Sequence, residues 1–107
     1  MLTLICYYVQ NKKKYIPGDG TVSSVAVGAG SGSSVLRNVR TDLYVTGEMS
    51  HHEVLDAVYN GTSVILCDHS NTERGYLSVL KTRLENTLGS DVHVLVSTVD
   101  TDPIKVV

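Results

Sequence analysis

His69 and Glu73 stand four residues apart at the start of a helix-like stretch, directly after the apolar run Val64–Cys67. Residues at i and i+4 share a helix face, with Cβ atoms about 5–6 Å apart. An imidazole and a carboxylate so spaced can grip one divalent metal or bridge two. Two protein donors do not complete such a site, so further donors have to be sought elsewhere in the chain. The same stretch has a plainer use. Ser70-Asn71-Thr72-Glu73 has the spacing of a capping box, in which Ser70 caps the helix and Glu73 reaches back to the Ser70 amide. His69 has no part in capping.

Other polar residues follow apolar runs in the same way. Gly30-Ser31-Gly32 lies beyond Val25–Val27 and reads as a tight turn, either purely structural or presenting backbone N–H groups to an anion. It departs from the dinucleotide fingerprint, because G-x-G-x-x-G needs glycine where Ser33 stands and no P-loop lysine follows, although Glu48 lies about where a ribose-binding acid would, which leaves nucleotide binding as a third reading. Glu48 and the pair His51-His52 follow Leu43–Val45, and Asp100 and Asp102 follow Val92–Val96. Neighbouring histidines on a helix point about 100° apart, so His51 and His52 are not expected to hold one ion together. His93 falls inside an apolar run and reads as packed there. Cys67, close to His69, reads as packing rather than as a nucleophile.

The elements that must position these groups alternate in texture. Leu2–Val9, Val25–Val27, Leu43–Val45, Val64–Cys67 and Val92–Val96 are short, β-branched-rich runs and read as strands. Ser33–Val39, His51–Asn60 and Asn71–Leu88 read as helices. The last carries Leu77, Leu80, Leu84 and Leu88 at spacings of three and four. Gly61 takes the position just past the second helix, where a residue without Cβ adopts positive φ cheaply. Strands alternating with helices predict an α/β fold, three-layered α/β/α, on a mostly parallel sheet of about four to five strands. Residues 1–23 then form an N-terminal edge strand and connecting loop, with a turn at Pro17–Gly20, and residues 24–107 form the α/β domain. In such sheets ligands bind at the carboxyl ends of the strands, where three of the four histidines and several acids fall.

The bulk figures exclude several classes. A chain of 107 residues is one domain by length. A net charge of −2, with Lys12–Lys14 as the sole basic run, argues against nucleic-acid binding. No run approaches the ~18 apolar residues of a membrane span, and Met1–Leu4 lacks the features of a signal peptide. The two cysteines, Cys6 and Cys67, sit in apolar runs and read as reduced, buried thiols.

Four stretches in order, Val25–Ser34, Thr46–His52, His69–Gly75 and Asp100–Pro103, resemble the C-terminal half of the Nif-three-like family, whose members are also called GTP cyclohydrolase I type 2 homologues. The eukaryotic branch is the most similar, and the resemblance covers roughly residues 24–107. It implies a two-lobed protein whose two α/β halves enclose two divalent metal ions. His69 and Glu73 would be the metal ligands of this half. A His-His pair and an Asp would come from the other half, and His51-His52 is not that pair, since it belongs to the Thr46-Gly47-Glu48 motif. The chain therefore reads as part of a longer protein. The resemblance further implies a metal-dependent hydrolase and assembly into homo-oligomers; Glu48, which could equally serve the dipole of the following helix, or His52 would then be the proton carrier. The alternative function is an interaction module for transcription-related partners. The expected location is the cytoplasm, with nucleus and mitochondrion as alternatives.

Overall fold

The computed structural model describes residues 7–9 and 22–104. Its strands are β1 (Tyr7–Val9), β2 (Val25–Ser31), β3 (Leu43–Glu48) and β4 (Ser63–Leu66), and its helices are α1 (Ser33–Leu36), α2 (His51–Tyr59), α3 (Asn71–Arg74) and α4 (Leu77–Leu88). One sheet runs in the order β1-β4-β3-β2. β2, β3 and β4 are parallel, and β1 lies antiparallel against β4 with Tyr7 opposite Leu66. The α/β class and the mostly parallel sheet agree with the sequence. The Lys12–Lys14 run, the Pro17–Gly20 turn and most of the predicted Leu2–Val9 strand lie outside the described residues.

Val92–Val96 does not join the sheet, which leaves three parallel strands and one antiparallel strand. A β-branched run becomes a strand by fitting a half-buried pleated surface, and this run is offered none: Leu95 is 86% exposed. The short helix α1 stops at Leu36 because Arg37 leaves the helical region with ψ 128, and Asn38 completes the turn at φ +73, a left-handed conformation that Asn tolerates better than most residues. The predicted Asn71–Leu88 helix is divided by Gly75 and Tyr76, although both keep helical backbone angles. None of the α4 leucines is buried among the described residues, so its stripe is not the core face its spacing predicts.

The core lies on one face of the sheet. Alternation along β3 turns Tyr44 and Thr46 to that face, and Leu36, Val54, Ala57 and Val64 close over it. Val64 is wholly buried, and sequestering a valine side chain is worth roughly 1.5–3 kcal/mol. On the opposite face Val25 and Val27 are 53% and 72% exposed.

Helix α2 shows why its start is sharp. Ser50 has extended backbone angles, its hydroxyl accepts from the Glu53 amide, and the Glu53 carboxylate accepts from the Ser50 amide at 2.8 Å. This is a capping box in full. The helix ends where Gly61 takes φ +95 and the Thr62 amide donates back to the Ala57 carbonyl.

Cys67 is disulfide-bonded, which corrects the expectation of a buried free thiol. The antiparallel edge strand brings the start of β1 beside the end of β4, next to Cys67. Cys6 lies outside the described residues.

Candidate functional site

The carboxyl ends of β2, β3 and β4 converge on His69. The chain leaves β4 through Cys67 and turns at Asp68, whose φ of +64 is unusual for a residue with a Cβ. That turn delivers His69 to the rim, beside the last residue of β3. The imidazole Nδ1 lies 2.8 Å from Glu48 Oε1, and Nε2 lies 3.4 Å from Glu73 Oε1. The second distance exceeds the ordinary N–H···O range, so Glu73 is a neighbour of the ring rather than its hydrogen-bond partner. The pairing with Glu48, more than the field of either carboxylate, raises the His69 pKa above its ordinary 6.5. All three side chains are about half exposed.

Two glycines make this convergence fit. A bulge between Gly28 and Ser31 bends the end of β2, and within it Gly30 takes φ +64. A Cβ on Gly30 would stand 2.6 Å from Glu73 Oε1 and 2.9 Å from His69 Nε2. A Cβ on Gly47 would stand 2.6 Å from the Gly30 carbonyl oxygen and 2.9 Å from His69 Cα. The backbones of β2 and β3 are therefore pressed against the imidazole and its neighbour.

Two threonines lock the bulge. The Gly30 amide donates to Thr72 Oγ1 at 2.8 Å, and that hydroxyl donates to the His69 carbonyl at 2.7 Å. The Gly32 amide donates to Thr46 Oγ1, and the fully buried Thr46 hydroxyl reaches the Gly30 carbonyl. Two of the three amides of Gly30-Ser31-Gly32 expected to meet an anion are thus spent inside the turn. Neither threonine stood out in the sequence, where a lone Thr in a strand or helix carries no chemical signal.

Ser70 and Glu73 do not form the expected capping box. Ser70 has helical backbone angles and makes no side-chain cap bond, whereas a capping residue needs an extended backbone. Glu73 stays beside His69. Asp100 and Asp102 do come to this rim, but through Arg74: its Nε donates to Asp100 at 2.7 Å and its Nη1 to Asp102 at 3.1 Å. That clasp ties residues 100–102 to α3 one residue past Glu73. His52 is placed elsewhere. It lines the cavity between α1 and α2, of about 950 Å³, and its ring meets His51 edge-on at 5.9 Å.

As a metal-holding set the site is a pair. Among the described residues no three His, Cys, Asp or Glu side chains are gathered so as to hold an ion. The pair itself suits one: Zn–N and Zn–O bonds at tetrahedral angles put two donors about 3.4 Å apart, and His69 Nε2 and Glu73 Oε1 are 3.4 Å apart. No helix of the described residues is long and apolar enough to cross a membrane.

Comparison with known proteins gives a consistent answer. The model of Duf34/NIF3 (NGG1p interacting factor 3) matches residues 7–103. The human NIF3-like protein 1 is 54% identical over 89 residues, covering 83% of this chain and 24% of that protein. The NGG1-interacting factor 3 of Saccharomyces cerevisiae is 49% identical over 87 residues, covering 79% of this chain and 30% of that protein. Among solved structures, the Staphylococcus aureus hypothetical protein SA1388 superposes with a TM-score of 0.68 at 27% identity, over 96% of this chain and 34% of that one. A Bacillus cereus protein related to NIF3 gives 0.62 at 26% identity, over 95% and 28%. The chain thus spans about a quarter to a third of the length of these proteins.

Proposed function

The chain belongs to the Duf34/NIF3 family, and on that premise we propose that it supplies part of a divalent-metal site, with His69 Nε2 and Glu73 Oε1 as its donors. The observation that carries this reading is their separation of 3.4 Å above a glycine with no Cβ. The remaining donors come from outside the described residues, and the complete site holds two ions in the full-length protein. Bound there, a pair of divalent ions would acidify water and stabilise developing negative charge, as in metal-dependent hydrolysis. The residues of this chain hold and orient: Thr72 and Thr46 fix the bulge, and Arg74 anchors the segment that follows Val99. Of the two expected proton carriers, Glu48 stands at the site and His52 lines a different cavity.

The test is zinc affinity by chelator competition for the wild type, His69→Ala and Glu73→Ala. Groups that merely orient a metal ligand are worth about 10–100-fold in affinity, so loss of either donor should weaken the tightest site by at least about tenfold. Equal affinity in all three proteins would overturn the assignment.

A second reading is a protein-interaction module for a transcription-related partner, with self-association into homo-oligomers. Its partner-binding part is supported by the name of the yeast relative, NGG1-interacting factor 3. The two readings separate cleanly: His69→Ala should weaken zinc binding and leave capture of a partner intact.

A further inference from the structure

Glu48 was expected to carry protons, but its geometry gives it another task. Its Oε1 lies 2.8 Å from Nδ1 of His69, on the side of the ring away from Glu73. A carboxylate oxygen accepts, so the hydrogen between them belongs to Nδ1. In the neutral ring the lone pair is then left on Nε2, the nitrogen beside Glu73 and over Gly30. Only that nitrogen can bind an ion, and it does so only as the tautomer that Glu48 selects. Glu48 is well placed to do this because it ends β3 and is paired in register with Ser31 of the bulge. Its backbone is fixed by the sheet, while the ring it steers hangs from the Asp68 turn.

We infer that Glu48 is a positioning residue: it holds His69 in the Nδ1–H tautomer and aims Nε2 at the space shared with Glu73. The purpose of this arrangement rests on the metal-site reading above, although the tautomer itself does not. Glu48 is accordingly neither a metal donor nor the group that moves protons to a substrate.

The experiment is ¹⁵N-detected histidine spectroscopy of the metal-free whole chain with the ring neutral, on the wild type, Glu48→Ala and Glu48→Gln, followed by zinc competition on the same samples. The wild type should show the Nδ1–H signature at His69. Glu48→Ala should shift it to the Nε2–H form usual for free imidazole and weaken zinc binding about 10–100-fold. Glu48→Gln keeps an accepting carbonyl, so it should keep the Nδ1–H form and restore most of the affinity. An unchanged signature in Glu48→Ala would overturn the inference. So would a Glu48→Gln protein that keeps the tautomer yet binds zinc as poorly as Glu48→Ala, since Glu48 would then act as a donor or a charge. If the wild type takes up no zinc, the pair does not hold an ion without the donors it lacks, and the ring signature still decides the role of Glu48.

Discussion

Gly47 and Gly30 occupy the positions where a single methyl group separates folding from function. A Cβ on Gly47 meets backbone on both sides, the Gly30 carbonyl and His69 Cα, and neither can swing away. Gly47→Ala should therefore destabilise the fold by about 1–3 kcal/mol, the usual cost of overpacking, read as a lower urea midpoint. A Cβ on Gly30 meets the free ends of His69 and Glu73 instead. Gly30→Ala should cost roughly 1–2 kcal/mol for its left-handed backbone and also push the two donors aside, so zinc affinity falls more than stability does. At the same scale, Asp42 and Glu53, like Asp102 with the Ile104 amide and Arg74 beside it, are carboxyls held below their ordinary values. The Ser23 amide, with the Ser24 hydroxyl and amide, holds Asp42 below its ordinary 3.8, and Ser50, first through its amide, holds Glu53 below 4.5. A depressed folded value means that the unfolded chain takes up protons first. The stabilisation is complete above those ordinary values and disappears as pH falls through the folded ones. Thermal midpoints should drop below about pH 4.5 as these carboxyls take up protons. Asp42→Asn should shrink that acid-side slope, and an unchanged slope would contradict the assignment.

At the scale of elements, the alternation of strands and helices was legible because β-branched runs and turn residues mark it directly. The rim that gathers His69, Glu73 and Glu48 was legible too, since polar clusters follow strands at their carboxyl ends. What the sequence could not show were backbone conformations. Ser50-x-x-Glu53 and Ser70-x-x-Glu73 have the same letters at the same spacing, yet only Ser50 is extended. The difference lies in what precedes each serine: Ser70 follows the Asp68 turn and already has helical backbone angles. Replacing Ser50 by Ala should cost about 1 kcal/mol, whereas Ser70→Ala should leave stability within about 0.5 kcal/mol. Equal losses would mean that both serines cap. The Val92–Val96 run failed as a strand for a related reason, because propensity says what a segment would fit and not whether a surface is there to receive it.

Across the whole molecule, burial is one-sided. The face bearing Tyr44, Val54 and Val64 is packed, while Val25 and Val27 on the other face and the leucines of α4 remain largely open among the described residues. Leu36→Ala, at 3% exposure, should cost about 2–5 kcal/mol. Val27→Glu, at 72% exposure, should change stability by no more than about 0.5 kcal/mol and reduce any self-association seen at high concentration. A large loss on Val27→Glu would mean that this face is covered. The proposed metal site requires that His69 be the residue an ion meets first, ahead of His51, His52 and His93. A histidine-resolved NMR titration of the chain with zinc tests this most directly. His69 should shift before the other three rings and through Nε2, and Glu73→Ala should remove its lead. If His69 moves with or after the others, the proposed donors are a surface ion pair and the metal reading falls.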